Sequence, residues 1–258
     1  FLTYYFRQGR GLAQGIHGIG NGVGFIVAPV AVTLLATALG WRSAVVLIAI
    51  PALAAAGMTH FLLREPAIRG HSGFLAGVTR PLLLLMVVNG LALSSTSGFM
   101  TWLPSFYRAG GQTLLASGAL TAAMSAATLI AQPLGGTLSD RLGRRTVIAL
   151  SLATTGALLA AFVAAPRLEL MVLLSVLIGF CSSLLPPVTM VYATELAAGE
   201  RSGMAVGIVW GLGTALSAFS PLATGAAIDV LGFGAAFMAL AGVSVVAAGL
   251  AVLLPRQT

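Results

Sequence analysis

The sequence has no lysine, one cysteine and very few acids. All 13 basic residues are arginine, six residues are acidic, and charged residues make up 7% of the 258. A soluble domain carries about a quarter charged residues. With 58% hydrophobic residues and a mean hydropathy of +1.02, the chain cannot cover itself in polar surface, so its main solvent is lipid. The lone Cys181 excludes an intramolecular disulfide and a cysteine metal cluster. Inside an apolar run it reads as a small hydrophobe. His17, His60 and His71 lack metal-ligand spacing, so neither a metal nor a cofactor is expected. No phosphate-binding loop occurs, which argues against an ATP-driven pump. The acids are Glu65, Asp140, Glu169, Glu195, Glu200 and Asp229. Nearly all lie at the ends of apolar runs or between them, and no two form an acid–base pair within a run. The chain is therefore not expected to be an enzyme. A net charge of +7 invites a nucleic-acid reading. The arginines stand singly or in short loop clusters, without an aromatic-interleaved stripe, so no nucleic-acid partner is expected.

Eight apolar segments can be drawn, at about 12–38, 43–63, 81–104, 113–134, 146–165, 168–193, 203–227 and 234–254. Each is long enough to cross a hydrocarbon core of about 30 Å as a helix. None alternates as the strands of a closed barrel would. The expected fold is therefore all-α, a polytopic membrane bundle of eight transmembrane helices. If the loop holding Arg141, Arg144 and Arg145 faces the cytoplasm, alternation puts Arg7, Arg10, Arg64, Arg69, Arg80, Arg201 and Arg256 on the same side. Arg42, Arg108 and Arg167 fall on the other. Ten against three across short loops is a strong positive-inside signal, and it places the C-terminus in the cytoplasm. Pro66, Gly70, Ser72 and Gly73 mark the longest loop as a linker between two bundles.

The densest signal is Gly136-Thr137-Leu138-Ser139-Asp140-Arg141-Leu142-Gly143-Arg144-Arg145, a charged, glycine-bearing loop between two apolar runs. There is also an internal repeat. Gly15 and Gly207, Pro29 and Pro221, Gly40 and Gly232, and Trp41 and Phe233 each stand 192 residues apart. The repeat unit keeps its orientation and holds six helices. The second copy is complete and the first has its last two.

On these residues the chain resembles the major facilitator superfamily, transporters with two parallel six-helix halves and substrate bound between them. The family's loop signature is Gly-x-Leu-x-Asp-Arg-x-Gly-Arg-Arg/Lys. Gly136, Leu138, Asp140, Arg141, Gly143, Arg144 and Arg145 fill it without departure. Arg10-Gly11 and Gly40-Trp41-Arg42 resemble the boundaries of the family's fifth helix. The resemblance implies helices five to twelve of a twelve-helix fold. Residues 1–64 then hold the last two helices of the N-terminal half, 65–80 a cytoplasmic linker, and 81–258 the C-terminal half. It also implies four helices before Phe1, on the order of 120 residues. The expected activity is secondary active transport of a small organic solute by alternating access, coupled to protons. The expected setting is a bacterial inner membrane, with a protein that is monomeric at full length. A non-transporting remnant, or a membrane-embedded enzyme acting on lipids, remains the competing reading.

Asp140 lies at a helix end, where a carboxylate opposes the helix dipole. It is expected to seek an outside partner, the N-terminus of the helix beginning near Arg10–Gly15, and so to latch the two halves as a gate. Gly143 permits a tight turn with positive φ. The arginines hold the loop at an anionic leaflet. Glycine pairs 11/15, 18/22 and 20/24 in the first helix allow close backbone approach. Gln14, His17 and Asn21 share one face of that helix. Ser117, Thr121, Ser125, Thr128 and Gln132 form another polar stripe, and Trp210, Thr214 and Ser217 a third. Asn89, Ser94–Ser97 and Trp102 interrupt the third apolar run. The substrate-cavity candidates are His17, Asn21, Asn89, Trp102, Thr121, Ser125 and Trp210, because polar groups in spanning helices turn toward partners or a cavity. Packing between helices is the alternative for the hydroxyls.

Overall fold

A computed structural model describes residues 10–62, 78–197 and 202–256, with the side chains of the first helix described only in part. Most of the expected linker 65–80 lies outside the described residues. So do Arg7, Arg64, Arg69, Arg201 and the side chain of Asn21.

The described residues form helices and no strand. In chain order they are α1 (Arg10–Leu39), α2 (Trp41–Leu62), α3 (Arg80–Ala109), α4 (Leu114–Ala126), α5 (Thr128–Leu142), α6 (Arg144–Ala164), α7 (Leu168–Ser183), α8 (Leu185–Leu196) and α9 (Ser202–Val206). A π-helical turn, Gly207–Leu212, follows, then α10 (Gly213–Ser217) and α11 (Ser220–Ala251). The ends have local causes. Thr79 and Thr113 stand in extended conformation and accept from the N–H groups of Leu82 and Ala116, at 3.4 and 3.2 Å, which caps α3 and α4. Gly143, at φ 87°, closes α5 and opens α6 in one residue. Pro186 and Pro187 cannot donate to the preceding turn, so the run from Leu168 breaks at Leu184.

The expected count of eight spans is corrected. Six stretches among the described residues are long and apolar enough to cross a membrane. The drawn segment 12–38 forms α1, a helix of 30 residues whose side chains are described only in part and which is not counted among the six. The segments 203–227 and 234–254 fall in one stretch of 50 residues, Ser202–Ala251. At 1.5 Å per residue that is about 75 Å, more than twice a hydrocarbon core. Gly232, at φ 80° and ψ 168°, interrupts it. Gly40, its partner 192 residues earlier, has the same φ of 80° between α1 and α2. The repeated glycine thus takes the same left-handed turn in both places.

Two apolar clusters hold the bundle. Leu82, Leu85, Val88, Ile148, Val188 and Val209 pack toward the charged end. Phe99, Leu103, Tyr107, Phe162 and Phe237 pack toward the other. The rings of Phe162 and Phe237 each meet Phe99 edge-on, with centroids 5.0 Å away. α11 lies along both α3 and α6. Hydroxyls tie these seams: Ser95 donates to the Leu240 carbonyl at 3.0 Å, and Ser244 to Leu152 at 2.9 Å. Between spans in lipid, packing and such hydrogen bonds replace hydrophobic drive. By contrast the apolar helix Trp41–Phe61 is almost wholly exposed.

The α6–α11 seam closes on Gly156. A Cβ there would stand 2.8 Å from a methyl of Val245 and 3.0 Å from the Ala241 carbonyl oxygen. Gly156→Val is expected to force the helices apart and destabilise by about 1–3 kcal/mol. A lowered thermal midpoint of the purified protein in detergent checks this; an unchanged midpoint would mean that the seam is looser than described.

Candidate functional site

Three interruptions of the α-helical hydrogen-bond ladder lie around one cavity. α4 gives way to α5 at Ala127 and α7 to α8 at Leu184, both residues keeping right-handed helical φ and ψ, and the π-helical turn Gly207–Leu212 carries Trp210. An interrupted ladder at membrane depth persists where it is buried in protein or lines a cavity. π-Turns recur at functional sites. The cavity holds about 230 Å³. α3 supplies Asn89, Thr96 and Met100, and the α4–α5 break supplies Met124, Ser125, Thr128 and Gln132. The α7–α8 break supplies Gly179, Ser182, Ser183 and Pro186, and the π-turn supplies Trp210. Its described lining has no charged side chain.

Each irregularity has its own polar partner. Asn89 Nδ2 donates to the Val209 carbonyl inside the π-turn, at 3.1 Å. Gly213 leaves room for that amide, since a Cβ there would stand 2.9 Å from Nδ2. Thr128 and Ser183 hydroxyls meet at 2.9 Å and join the two helix breaks. Trp210 Nε1 is buried and has no hydrogen-bond partner among the described residues.

The structure brings Asn89, Ser125 and Trp210 together, from three separate polar stripes. Trp102 points elsewhere: its Nε1 donates to the Pro221 carbonyl at 2.8 Å, and its ring covers Gly225. Thr121 bonds back to the Ser117 carbonyl one turn earlier, at 2.9 Å. His17 is exposed on α1. Gln14, from the same face, is buried and reaches Met190 Sδ of α8 at 3.0 Å. Of the glycine pairs, Gly18 and Gly22 face Gln132, Leu129 and Thr128 of α5, whereas Gly20 and Gly24 have open space beside them. The two methionines and the Ser182–Ser183 pair were not anticipated. The hydroxyl pair just before Pro186–Pro187 was the available signal.

The signature loop forms a charged node. Arg144, 6% exposed at the start of α6, reaches Asp140, Ser139 and Glu195, the last at 3.2 Å. Asp140 and Ser139 end α5, and Glu195 ends α8. The guanidinium therefore sits where two helix C-termini place partial negative charge, and its planar fork serves all three acceptors. Ser139 also donates to the Gly136 carbonyl at 2.8 Å. Arg145 turns to the Leu254 carbonyl at 3.1 Å, and Arg141 is exposed. The expected partner of Asp140, the helix start around Arg10–Gly15, includes residues whose side chains lie outside the described set. The acidic partner on α8, Glu195, was not anticipated, because 50 residues separate it from the loop.

An all-helical bundle with apolar outer faces and an internal cavity defines a polytopic membrane protein. The family model of the Major Facilitator Superfamily matches residues 2–118 and 82–258, and the chain belongs to that family. A solved structure of the human organic anion transporter MFSD10 (TETRAN) shares the fold at a TM-score of 0.72 and 17% identity. That likeness covers 93% of this chain, which spans 63% of the other. No curated protein sequence matches.

Arg144→Ala would take a buried guanidinium away from two partly buried carboxylates. A loss of about 2–3 kcal/mol is expected, with little rescue by Arg144→Lys, whose ammonium cannot span the same acceptors. Denaturation of the variants in detergent decides it; a midpoint equal to that of the parent would contradict the node.

Proposed function

We propose that the chain forms part of a secondary active transporter that carries a small organic solute by alternating access, with the cavity among Asn89, Ser125 and Trp210 as part of the solute path. The observation that carries this reading is the convergence of two helix breaks and a π-turn on that cavity. Packed helices can change register at such points without stranding backbone groups in lipid. The neutral hydroxyl, amide, thioether and indole lining suits an uncharged or weakly charged solute. A multiply charged one would need compensating charge in the path. The MFSD10 neighbour is an organic anion transporter, so weak organic acids belong in the first panel tested. Proton coupling follows from the family resemblance. The ten-to-three division of arginines supports a cytoplasmic C-terminus, and the all-arginine, alanine-rich composition supports a bacterial inner membrane.

The gate in this reading is the charged node. Asp140 and Glu195 converge on Arg144 at the ends of α5 and α8, so movement of either helix must break or exchange a buried charge-assisted contact. That gives the transition discrete end states.

In proteoliposomes, uptake of a weak-acid or neutral solute is expected to collapse when the proton gradient is dissipated. Trp210→Ala is expected to weaken apparent affinity roughly fivefold to tenfold. Thr121→Ala, whose hydroxyl is spent on its own helix, should leave affinity within about twofold. Equal effects of the two substitutions would remove the cavity from the solute path. Flux that ignores the gradient would remove the coupling.

A further inference from the structure

A second cavity, of about 400 Å³, opens at the charged end of the bundle between the start of α6 and the end of α11. Its polar wall is Arg145, Arg256 and Thr146, with the neighbouring Arg144 behind. Leu142, Leu150 and Val252 border it as well, at 52%, 57% and 50% exposure. Two hydrogen bonds fix the geometry. Arg145 donates to the Leu254 carbonyl at 3.1 Å, and the Tyr192 hydroxyl donates to Pro255 at 2.6 Å. The consecutive carbonyls of Leu254 and Pro255 are therefore both held, and Arg256 follows them into the cavity wall beside Arg145.

The charges at this spot do not balance. Both nearby carboxylates, Asp140 and Glu195, face Arg144. Arg256 also borders the adjoining cleft that holds them, yet neither Arg145 nor Arg256 pairs with a carboxylate among the described residues. Two guanidinium groups over an apolar, outward-facing rim, at the ends of two membrane-spanning stretches, fit an anion that carries hydrocarbon. Guanidinium binds phosphate through paired N–H donors, and cationic pockets at helix ends take anionic head groups.

We propose that this cavity seats the phosphate of an anionic phospholipid of the phosphatidylglycerol class, with the acyl chains lying against Leu142, Leu150 and Val252. The site is separate from the solute cavity and does not depend on transport. Occupied, it ties α6 to the end of α11 and steadies the face that bears the charged node.

The test is thermal unfolding of the purified protein in detergent, with added phosphatidylglycerol, phosphatidylcholine or inorganic phosphate. Phosphatidylglycerol is expected to raise the midpoint by about 3 °C or more over phosphatidylcholine. Inorganic phosphate at equal concentration should raise it little. Arg256→Gln, which breaks no hydrogen bond among the described residues, should keep the parental midpoint in phosphatidylcholine and lose at least half of the phosphatidylglycerol increment. Arg145→Gln/Arg256→Gln should lose all of it. Equal midpoints in the two lipids, an equal shift with inorganic phosphate, or a full increment in Arg256→Gln would each overturn the proposal; if the double variant does not fold, the single variant decides.

Discussion

In lipid there is no water to satisfy a backbone N–H or C=O, and every departure from the α-helical ladder must bring its own partner. That constraint organises this protein. The straight parts of the helices are unremarkable apolar cylinders joined by small residues and single hydroxyl bonds. At the irregular points polar side chains collect: Asn89 on the Val209 carbonyl, Thr128 on Ser183, and Ser182 on the Gly179 carbonyl at 3.2 Å. These groups enclose the cavity. The polarity that a solute would meet is thus the same polarity that keeps the broken helices whole.

The charged loop obeys the same constraint at the membrane edge. Three acceptors from the ends of α5 and α8 converge on one buried arginine, and Gly143 supplies the turn that brings α6 in beside them. A buried arginine with two carboxylates is a poor source of net stability, because desolvation offsets much of the attraction. It is a good source of discreteness, since intermediate positions leave a charge uncompensated. A structure that must occupy two states and avoid the states between them can use that property.

Much of the fold was legible in the sequence because the lipid environment leaves so few alternatives. Apolar run lengths located the helices, and the glycine at 143 and the pair 40 and 232 marked turns that take positive φ. The last two segments, drawn at 203–227 and 234–254, lie on either side of the kink at Gly232, although the stretch from Ser202 to Ala251 stays apolar throughout. The site was less legible. A polar stripe on a helix does not say whether it meets a cavity, a neighbour or its own preceding turn. Trp102 and Trp210 look alike in sequence, yet one indole N–H is spent on Pro221 and the other has no partner among the described residues. Thr121 and Ser125 stand one turn apart, and only the second reaches the cavity. The break at Ala127 has no proline or glycine to announce it, so the turn that aims Ser125 and Thr128 arises from tertiary packing.

The central claim is that the cavity between the broken helices opens to water alternately on the two sides of the membrane. Replacing the lone cysteine by Cys181→Ser and adding Ser125→Cys gives one thiol in the cavity wall. Its labelling by a membrane-impermeant thiol reagent, applied from each side of oriented vesicles, is the most direct measurement. The account predicts reaction from both sides, with a Val246→Cys control, 57% exposed within the apolar run of α11, reacting from neither. A Ser125→Cys thiol that reacts from one side alone, or from none, would contradict it.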